Sequence, residues 1–189
     1  MSTDPETVCE SVKFLEPGLR LNSTPDPIPS ILEDPDRFAE AARYCFACGA
    51  ENAMGLHLDI DYRDEVHCAE TTLTLQPERQ GWSGVAHGGV VSTILDEVLS
   101  WSLGQDVPFF TAELTIRYHR VVPIGVPLRA WGQRTRRRGR YMEAEGAIMD
   151  LDGNTLATAV AKFLSPARSA SRAASEEDRA TIADAGGNG

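Results

Sequence analysis

The sequence predicts an α+β domain in which a six-stranded, largely antiparallel sheet curls around one long central helix. Three observations support this fold. Apolar residues recur with helical spacing within residues 85–101. Six segments with alternating apolar residues flank that helix, two before it and four after it. The apolar face of the helix is too wide for a flat sheet to cover, so the sheet is expected to curl.

The chain is expected to hold one domain with an extension at each end. Its 189 residues and 42% hydrophobic content suit a single globular domain. Residues 1–43 are Pro-rich and polar, and they predict an extended leader with a short helix over 34–43. Residues 44–164 form the predicted domain. Residues 165–189 are small and polar, and they predict a disordered tail.

Charge and composition exclude several classes of protein. The formal net charge of −10 argues against a general nucleic-acid binder. The chain has no run of about 18 apolar residues, so no membrane span is expected. The acidic N-terminus does not resemble a secretory signal. These features predict a cytoplasmic protein, and its four cysteines are therefore expected to be reduced thiols.

Cys45 and Cys48 form a C-x-x-C motif, which is typical of zinc sites and of redox pairs. A tetrahedral zinc site needs further ligands, and the sequence has neither a second C-x-x-C nor an H-x-x-x-H. The pattern therefore favours a turn that packs on the core with two buried thiols. No metal and no cofactor are expected.

The alternating segments give the predicted strands, which flank a loop over 76–84 and are joined after the helix in a meander. Strands are expected over residues 56–62, 65–75, 110–122, 126–135, 141–150 and 155–164. Residues 63–64 are expected to form a hairpin turn. The Asp-Gly-Asn turn at 152–154 is the strongest hairpin signal in the chain.

The strand predicted over 110–122 divides its side chains between two faces. Leu114, Ile116 and Tyr118 fall on one side. The opposite side carries Thr111, Glu113, Thr115 and Arg117. Strict alternation therefore separates Thr111 from the apolar face.

The start of the helix, His87-Gly88-Gly89, is a candidate site for a ligand oxygen. The first N–H groups of a helix lack internal partners, and the helix dipole makes that end partly positive. A ligand oxygen can approach the N–H groups of Gly88 and Gly89 closely, because glycine has no side chain. Such N–H groups can serve as an oxyanion hole. The alternative interpretation is a simple turn beside a structural histidine.

Two carboxylates, Asp96 and Glu97, lie two turns further along the helix. A carboxylate in mostly apolar surroundings can act as a general base or a nucleophile, and the alternative is a solvated helix edge. Helical phase does not choose between the two acids, since both flank the apolar stripe. The rise per residue puts Asp96 roughly 12 Å from Gly88 along the axis. If the two cooperate, the acid is therefore expected from a second copy of the chain, and an open sheet edge favours such a dimer.

Five segments in this order resemble the PaaI-like acyl-CoA thioesterase family of the hotdog-fold superfamily. They are CFACGAENAMGL (45–56), QGWSGVAHGG (80–89), LDE (95–97), TAELTIRY (111–118) and DGNTLATA (152–159). The resemblance covers residues 44–164. It implies a hotdog fold and a thioesterase that hydrolyses acyl-CoA or acyl-carrier thioesters to the free acid and thiol. It implies no metal and no cofactor, since coenzyme A is part of the substrate.

The resemblance also implies a role for each site residue. The Gly88 N–H polarises the thioester carbonyl, and Asp96 is the general base or nucleophile. Thr111 helps to hold the attacking water. His87 shapes the carbonyl-binding corner, and Gln80 is a second donor near the carbonyl. Substrate contacts are predicted for Gly89, Glu97, Arg136, Arg137, Arg138 and Arg140.

The arginines of this basic run suit the phosphates of coenzyme A. The alternative is a solvated hairpin whose arginines balance nearby acids.

Related proteins build the site at a dimer interface, and many pair again into tetramers. A non-catalytic acyl-CoA sensor on the same fold is the alternative function. A sensor is expected to lack the acid at position 96 or to carry a DNA-binding segment, and neither feature is seen. A third possibility is a hotdog dehydratase. Such enzymes pair a histidine with an acid in a different arrangement, so the resemblance does not favour this function.

Overall fold

The structure is a computed structural model, and it describes residues 42–104 and 109–165. The long helix α1 spans Gly88–Trp101. The strands are β1 (Asp61–Arg63), β2 (Cys68–Thr74), β3 (Gln80–Trp82), β4 (Val85–Ala86), β5 (Phe110–Tyr118), β6 (Pro127–Arg138), β7 (Tyr141–Asp150) and β8 (Thr155–Leu164). Most of the predicted leader and of the predicted tail lies outside the described residues.

Six of the strands form one antiparallel sheet in the order β1-β2-β6-β7-β8-β5, and β3 and β4 form a separate pair. The predicted α+β fold with one helix and a six-stranded antiparallel sheet is confirmed. The predicted four-strand meander is wrong in one respect, because β5 pairs with β8 and not with β6. β6 already pairs with β2 on one side and β7 on the other, so β5 joins the sheet at its far edge.

α1 packs on the sheet through an apolar stripe. Its buried residues are Val91, Ile94, Leu95, Val98 and Leu99. No side chain from residue 90 to residue 101 is fully exposed, as expected for a helix that the sheet wraps. Burial of each such aliphatic side chain contributes about 1.5–3 kcal/mol to the free energy of unfolding.

Two glycines let the helix approach the middle of the sheet. Gly132 on β6 and Gly146 on β7 lie opposite each other. A Cβ on Gly132 would lie 2.4 Å from the Val98 carbonyl oxygen, and one on Gly146 would lie 3.1 Å from Leu99 Cδ2. A larger residue at Gly132 would push α1 off the sheet, whereas a Cβ on Gly146 would first meet the Trp131 carbonyl oxygen on β6.

The first predicted strand is much shorter than expected. The sequence predicts a strand over 56–62, whereas β1 spans only Asp61–Arg63. His57 has a left-handed backbone with φ 51°, which interrupts the extended conformation. The N–H groups of Leu56 and Leu58 donate to the carbonyls of residues 46 and 47 instead of to a sheet neighbour. The expected turn at 63–64 is a short 3-10 turn over Asp64–Val66.

Other boundaries differ less from the predictions. The expected loop over 76–84 contains the 3-10 turn Pro77–Arg79 and strand β3. β5 ends at residue 118 and β6 continues to residue 138, while β7 and β8 have the bounds that the sequence predicts. In the described part of the chain, no helix is long and apolar enough to cross a membrane.

Candidate active site

The helix begins at Gly88 after a histidine cap. The backbone of His87 is extended, and its Nδ1 accepts a hydrogen bond from the Gly89 N–H at 2.9 Å. The Gly89 N–H is therefore already used within the cap. Among the hydrogen bonds of residues 42–104 and 109–165, none uses the Gly88 N–H, and Gly88 is exposed. Gly88 is thus the residue whose N–H is available to a ligand oxygen.

Two hydroxyls hold the backbone of Gly88 in place. Ser92 Oγ and Tyr118 Oη each donate to the Gly88 carbonyl oxygen at 2.9 Å, and the two hydroxyls lie 2.9 Å from each other. The sequence did not single out either residue. The sequence pattern could have indicated Tyr118, because this residue shares a strand face with Leu114 and Ile116, and that face packs on the helix.

Asp96 on the helix and Thr111 on β5 are in direct contact. Thr111 Oγ1 donates to Asp96 Oδ1 at 2.8 Å, and the Asp96 side chain is half-buried. Burial raises the pKa of the Asp96 carboxyl above its ordinary value, and the hydrogen bond from Thr111 opposes that rise. A carboxylate that has lost part of its hydration is a better proton acceptor than an exposed one.

Thr111 reaches the helix side of the sheet because of a β-bulge at Ala112. Strict alternation places Thr111 on the same face as Glu113, and this prediction is wrong. The β5–β8 register pairs Thr111 with Phe163 and Glu113 with Lys162, so Ala112 is an extra residue. Phe163 is fully buried, whereas Lys162 forms an ion pair with Glu113 at 2.6 Å. The bulge therefore turns Thr111 toward the buried face.

Glu97 has different neighbours from Asp96. Its Oε1 accepts a hydrogen bond from Trp101 Nε1 at 3.0 Å, and its two carboxylate oxygens lie 3.9 and 3.8 Å from Cys45 Sγ. Burial, and then the hydrogen bond and charge of Glu97, raise the pKa of the Cys48 thiol far above its ordinary value. A thiol of this kind does not suit redox exchange. The predicted substrate contact of Glu97 stays a prediction.

Gln80 lies at the start of β3 beside the beginning of the helix. Its Oε1 accepts a hydrogen bond from the Gly84 N–H at 3.3 Å. A Cβ on Gly81 would lie 3.1 Å from His87 Cα, so β3 packs directly against the helix cap. Within the described ranges the side-chain NH₂ of Gln80 makes no hydrogen bond. Its predicted role as a second donor stays a prediction.

The basic run at the β6–β7 hairpin is divided between two faces of the sheet. Arg136 pairs with Glu143 and approaches its carboxylate at 3.8 Å. Arg138 pairs with Tyr141, whose hydroxyl donates to the same Glu143 carboxylate at 2.6 Å. These groups lie on the face away from the helix. Arg140 donates from Nε to a backbone carbonyl just after β8 at 2.7 Å.

Arg137 lies on the opposite face from those neighbours. A second bulge, at Thr135, shifts the β6–β7 register so that Arg137 pairs with Met142, which is buried. Met142 pairs with Phe163, and Phe163 pairs with Thr111. Directly paired residues share a face. Arg137 and Thr111 therefore lie in one row across three strand spacings, or about 14 Å.

Comparisons with known proteins agree with this architecture. The family model of the thioesterase superfamily matches residues 83–157. A solved thioesterase superfamily protein is 30% identical with a TM-score of 0.60, and the match covers 65% of this chain and 63% of that one. The chain thus spans less than two thirds of that protein. No curated protein matches the chain.

Two further solved structures share the fold at lower identity. PaaI from the phenylacetic acid degradation operon of E. coli is 21% identical, with a TM-score of 0.53 over 58% of this chain and 83% of that one. A hypothetical thioesterase of Streptococcus pneumoniae TIGR4, solved with coenzyme A, is 17% identical, with a TM-score of 0.54 over 59% of this chain and 87% of that one.

The helix wrapped by an antiparallel sheet, with Gly88 at its start, has the hotdog fold, and residues 83–157 are similar to the thioesterase superfamily. The predicted resemblance to PaaI-like hotdog thioesterases is confirmed. The roles of the individual site residues stay predictions.

Proposed function

We propose that the protein is a thioesterase that hydrolyses acyl-CoA thioesters. The proposal depends on one observation above all. The half-buried carboxylate of Asp96, which lies on the helix that begins at Gly88, accepts a hydrogen bond from Thr111 on β5. The comparisons support a thioesterase function in general terms. The neighbour solved with coenzyme A supports a CoA ester as the substrate.

In the proposed reaction the Gly88 N–H donates to the thioester carbonyl oxygen and stabilises the negative charge that develops there. Asp96 either takes a proton from a water that Thr111 helps to hold, or attacks the carbonyl carbon directly. The C–S bond then breaks, and the thiolate of coenzyme A leaves and takes up a proton. In the direct attack, water hydrolyses the resulting anhydride.

The proposed active form is a homodimer. Gly88 and Asp96 are roughly 12 Å apart along one helix, which is too far for both to act on one carbonyl. A second copy can supply Asp96 and Thr111 opposite Gly88 of the first. β5 is an edge strand, so its outer backbone groups are open to pairing. Phe110 on this strand leaves 49% of its surface exposed. We also propose that two such dimers pair into a tetramer. The proposed location of the protein is the cytoplasm.

The test is release of free thiol from a panel of acyl-CoAs by wild type, Asp96→Asn and Asp61→Asn. We expect Asp96→Asn to lower kcat about 10²–10⁴-fold while substrate binding is retained, because a positioned base is lost. Asp61 is exposed on β1, at the opposite edge of the sheet from β5, and its variant is the matched control.

Equal hydrolysis by Asp96→Asn and wild type would contradict the catalytic role of Asp96. Binding of acyl-CoA without turnover would favour either an acyl-carrier substrate or the non-catalytic sensor. Turnover of an acyl-carrier thioester separates these two.

Arg137 is the arginine that we propose for contact with the phosphates of coenzyme A. It shares a row and a face with Thr111, and it lies exposed at the other end of that row. We expect Arg137→Gln to raise KM several-fold with little change in kcat, and the difference to shrink as salt screens the phosphates. Arg138→Gln, on the other face, is the matched comparison. A larger KM change in Arg138→Gln would contradict the assignment.

A further inference from the structure

We propose that Cys45, Cys48 and Glu97 form a zinc-binding site. The two sulfur atoms and a carboxylate oxygen of Glu97 all lie within 4.8 Å of one another, and all three side chains are half-buried. The sequence shows only the pair of thiols, and on that basis no metal is expected. The fold adds a third ligand from α1, 52 residues away from Cys45 in the chain.

The donor atoms and their spacing suit Zn²⁺. Thiolates bind zinc at about 2.3 Å and carboxylates at about 2.0–2.2 Å, so two ligand atoms at a tetrahedral angle are about 3.6–3.8 Å apart. Cys45 Sγ lies 3.8 Å from one Glu97 oxygen. Calcium and magnesium prefer sets of oxygen ligands, and iron–sulfur clusters need four ligands, usually cysteines. Three protein ligands leave the fourth zinc position to water or another donor.

The neighbours of the three ligands orient them in the way that metal sites require. Trp101 Nε1 donates to Glu97 Oε1 at 3.0 Å, and this bond fixes the carboxylate. The Ala47 N–H donates to Cys45 Sγ at 3.4 Å. The turn that presents both sulfurs is tight, because a Cβ on Gly49 would lie 2.4 Å from the Cys45 nitrogen.

The charge at the cluster also favours a cation. In the described part of the chain, no lysine, arginine or histidine forms a salt bridge with Glu97. A zinc ion would attract the carboxylate and displace the two thiol protons. It would also fasten the turn at residues 45–49 to α1, beside the residue that carries the proposed hydrolysis. Because the site forms only in the folded chain, zinc binding would stabilise the fold.

The test is metal analysis of the full chain, purified with reduced thiols, loaded with zinc and dialysed. We expect one zinc per chain, and thiolate-to-cobalt absorption bands in the near ultraviolet when Co²⁺ replaces it. Cys48→Ser should lose both signals. Cys68→Ser, on β2, is the matched control and should keep them. Trp101→Phe should weaken zinc affinity about 10–100-fold in competition with a chelator, because the carboxylate loses its orienting donor.

Folded wild type with reduced thiols that retains no zinc would overturn the proposal. Equal zinc content in wild type and Cys48→Ser would overturn it as well, and so would a Cys45–Cys48 disulfide formed in place of zinc binding under those conditions. Asp96→Asn should keep its zinc whatever its rate of hydrolysis. The failure of this site and the failure of the proposed hydrolysis are therefore distinguishable.

Discussion

Asp96 and Glu97 are consecutive on α1, and they carry the same chemical group into two different surroundings. Asp96 accepts a hydrogen bond from Thr111 on the edge strand β5. Glu97 receives its bond from Trp101 of the same helix and lies against the thiol of Cys45. Consecutive helical residues point about 100° apart, so each acid meets a different part of the fold.

The neighbours of each carboxylate, and not the helix itself, decide what that carboxylate can do. The neutral hydroxyl of Thr111 leaves Asp96 able to accept a proton, and burial makes the Asp96 carboxylate a stronger base. A pair of soft sulfur donors beside Glu97 provides a ligand set for a metal.

After Asp96→Asn, the next largest loss of activity is expected for Thr111→Ala. Loss of one hydrogen bond to a charged group, about 1.5–3 kcal/mol, should lower kcat/KM about 10–100-fold. The bond from Thr111 lowers the pKa of Asp96, so its loss should raise that pKa. Because Asp96 must be ionised to act, the acidic limb of the pH profile should move to higher pH. The measurement is kcat/KM for one acyl-CoA as a function of pH.

Two further variants control this result. Thr111→Ser keeps the hydroxyl, and we expect it to retain the wild-type pH limb. Deletion of Ala112 removes the extra residue but leaves Thr111 opposite Phe163 and Glu113 opposite Lys162, so a folded deletion variant should keep Thr111 on the helix side and retain the wild-type pH limb. A pH limb that does not move in Thr111→Ala would show that Thr111 does not act on Asp96.

Local patterns were sufficient to predict much of the fold. The helix follows from apolar spacing together with His87-Gly88-Gly89, and its buried face is the one that the spacing indicates. β7 and β8 have their predicted bounds, because alternation and a glycine turn at Gly153 define them within a few residues. The predicted roles of Asp96 and Thr111 came from the resemblance to a family, and not from the pattern of the residues.

Features that depend on distant partners could not be predicted. The bulges at Ala112 and Thr135 reverse the faces of Thr111 and Arg137, and each depends on the register with a neighbouring strand. The pairing of β5 with β8 depends on which sheet edges other strands already occupy. The meeting of Cys45 with Glu97 likewise joins residues far apart in the sequence.

The smallest expected effect is on stability, and it separates the two acids most directly. The folded pKa of Asp96 is raised above its ordinary value of 3.8, so the folded chain binds its proton more tightly than the unfolded chain does. The contribution of Asp96 to stability is then most favourable below that ordinary value and falls as pH rises through the folded pKa. Asp96→Asn should therefore raise Tm slightly at neutral pH, and the gain should disappear in acid. Glu97→Gln should instead lower Tm relative to wild type only when zinc is present. Thermal unfolding at two pH values, with zinc and with a chelator, measures both effects. A lower Tm for Asp96→Asn at neutral pH would show that burial of its charge does not destabilise the fold.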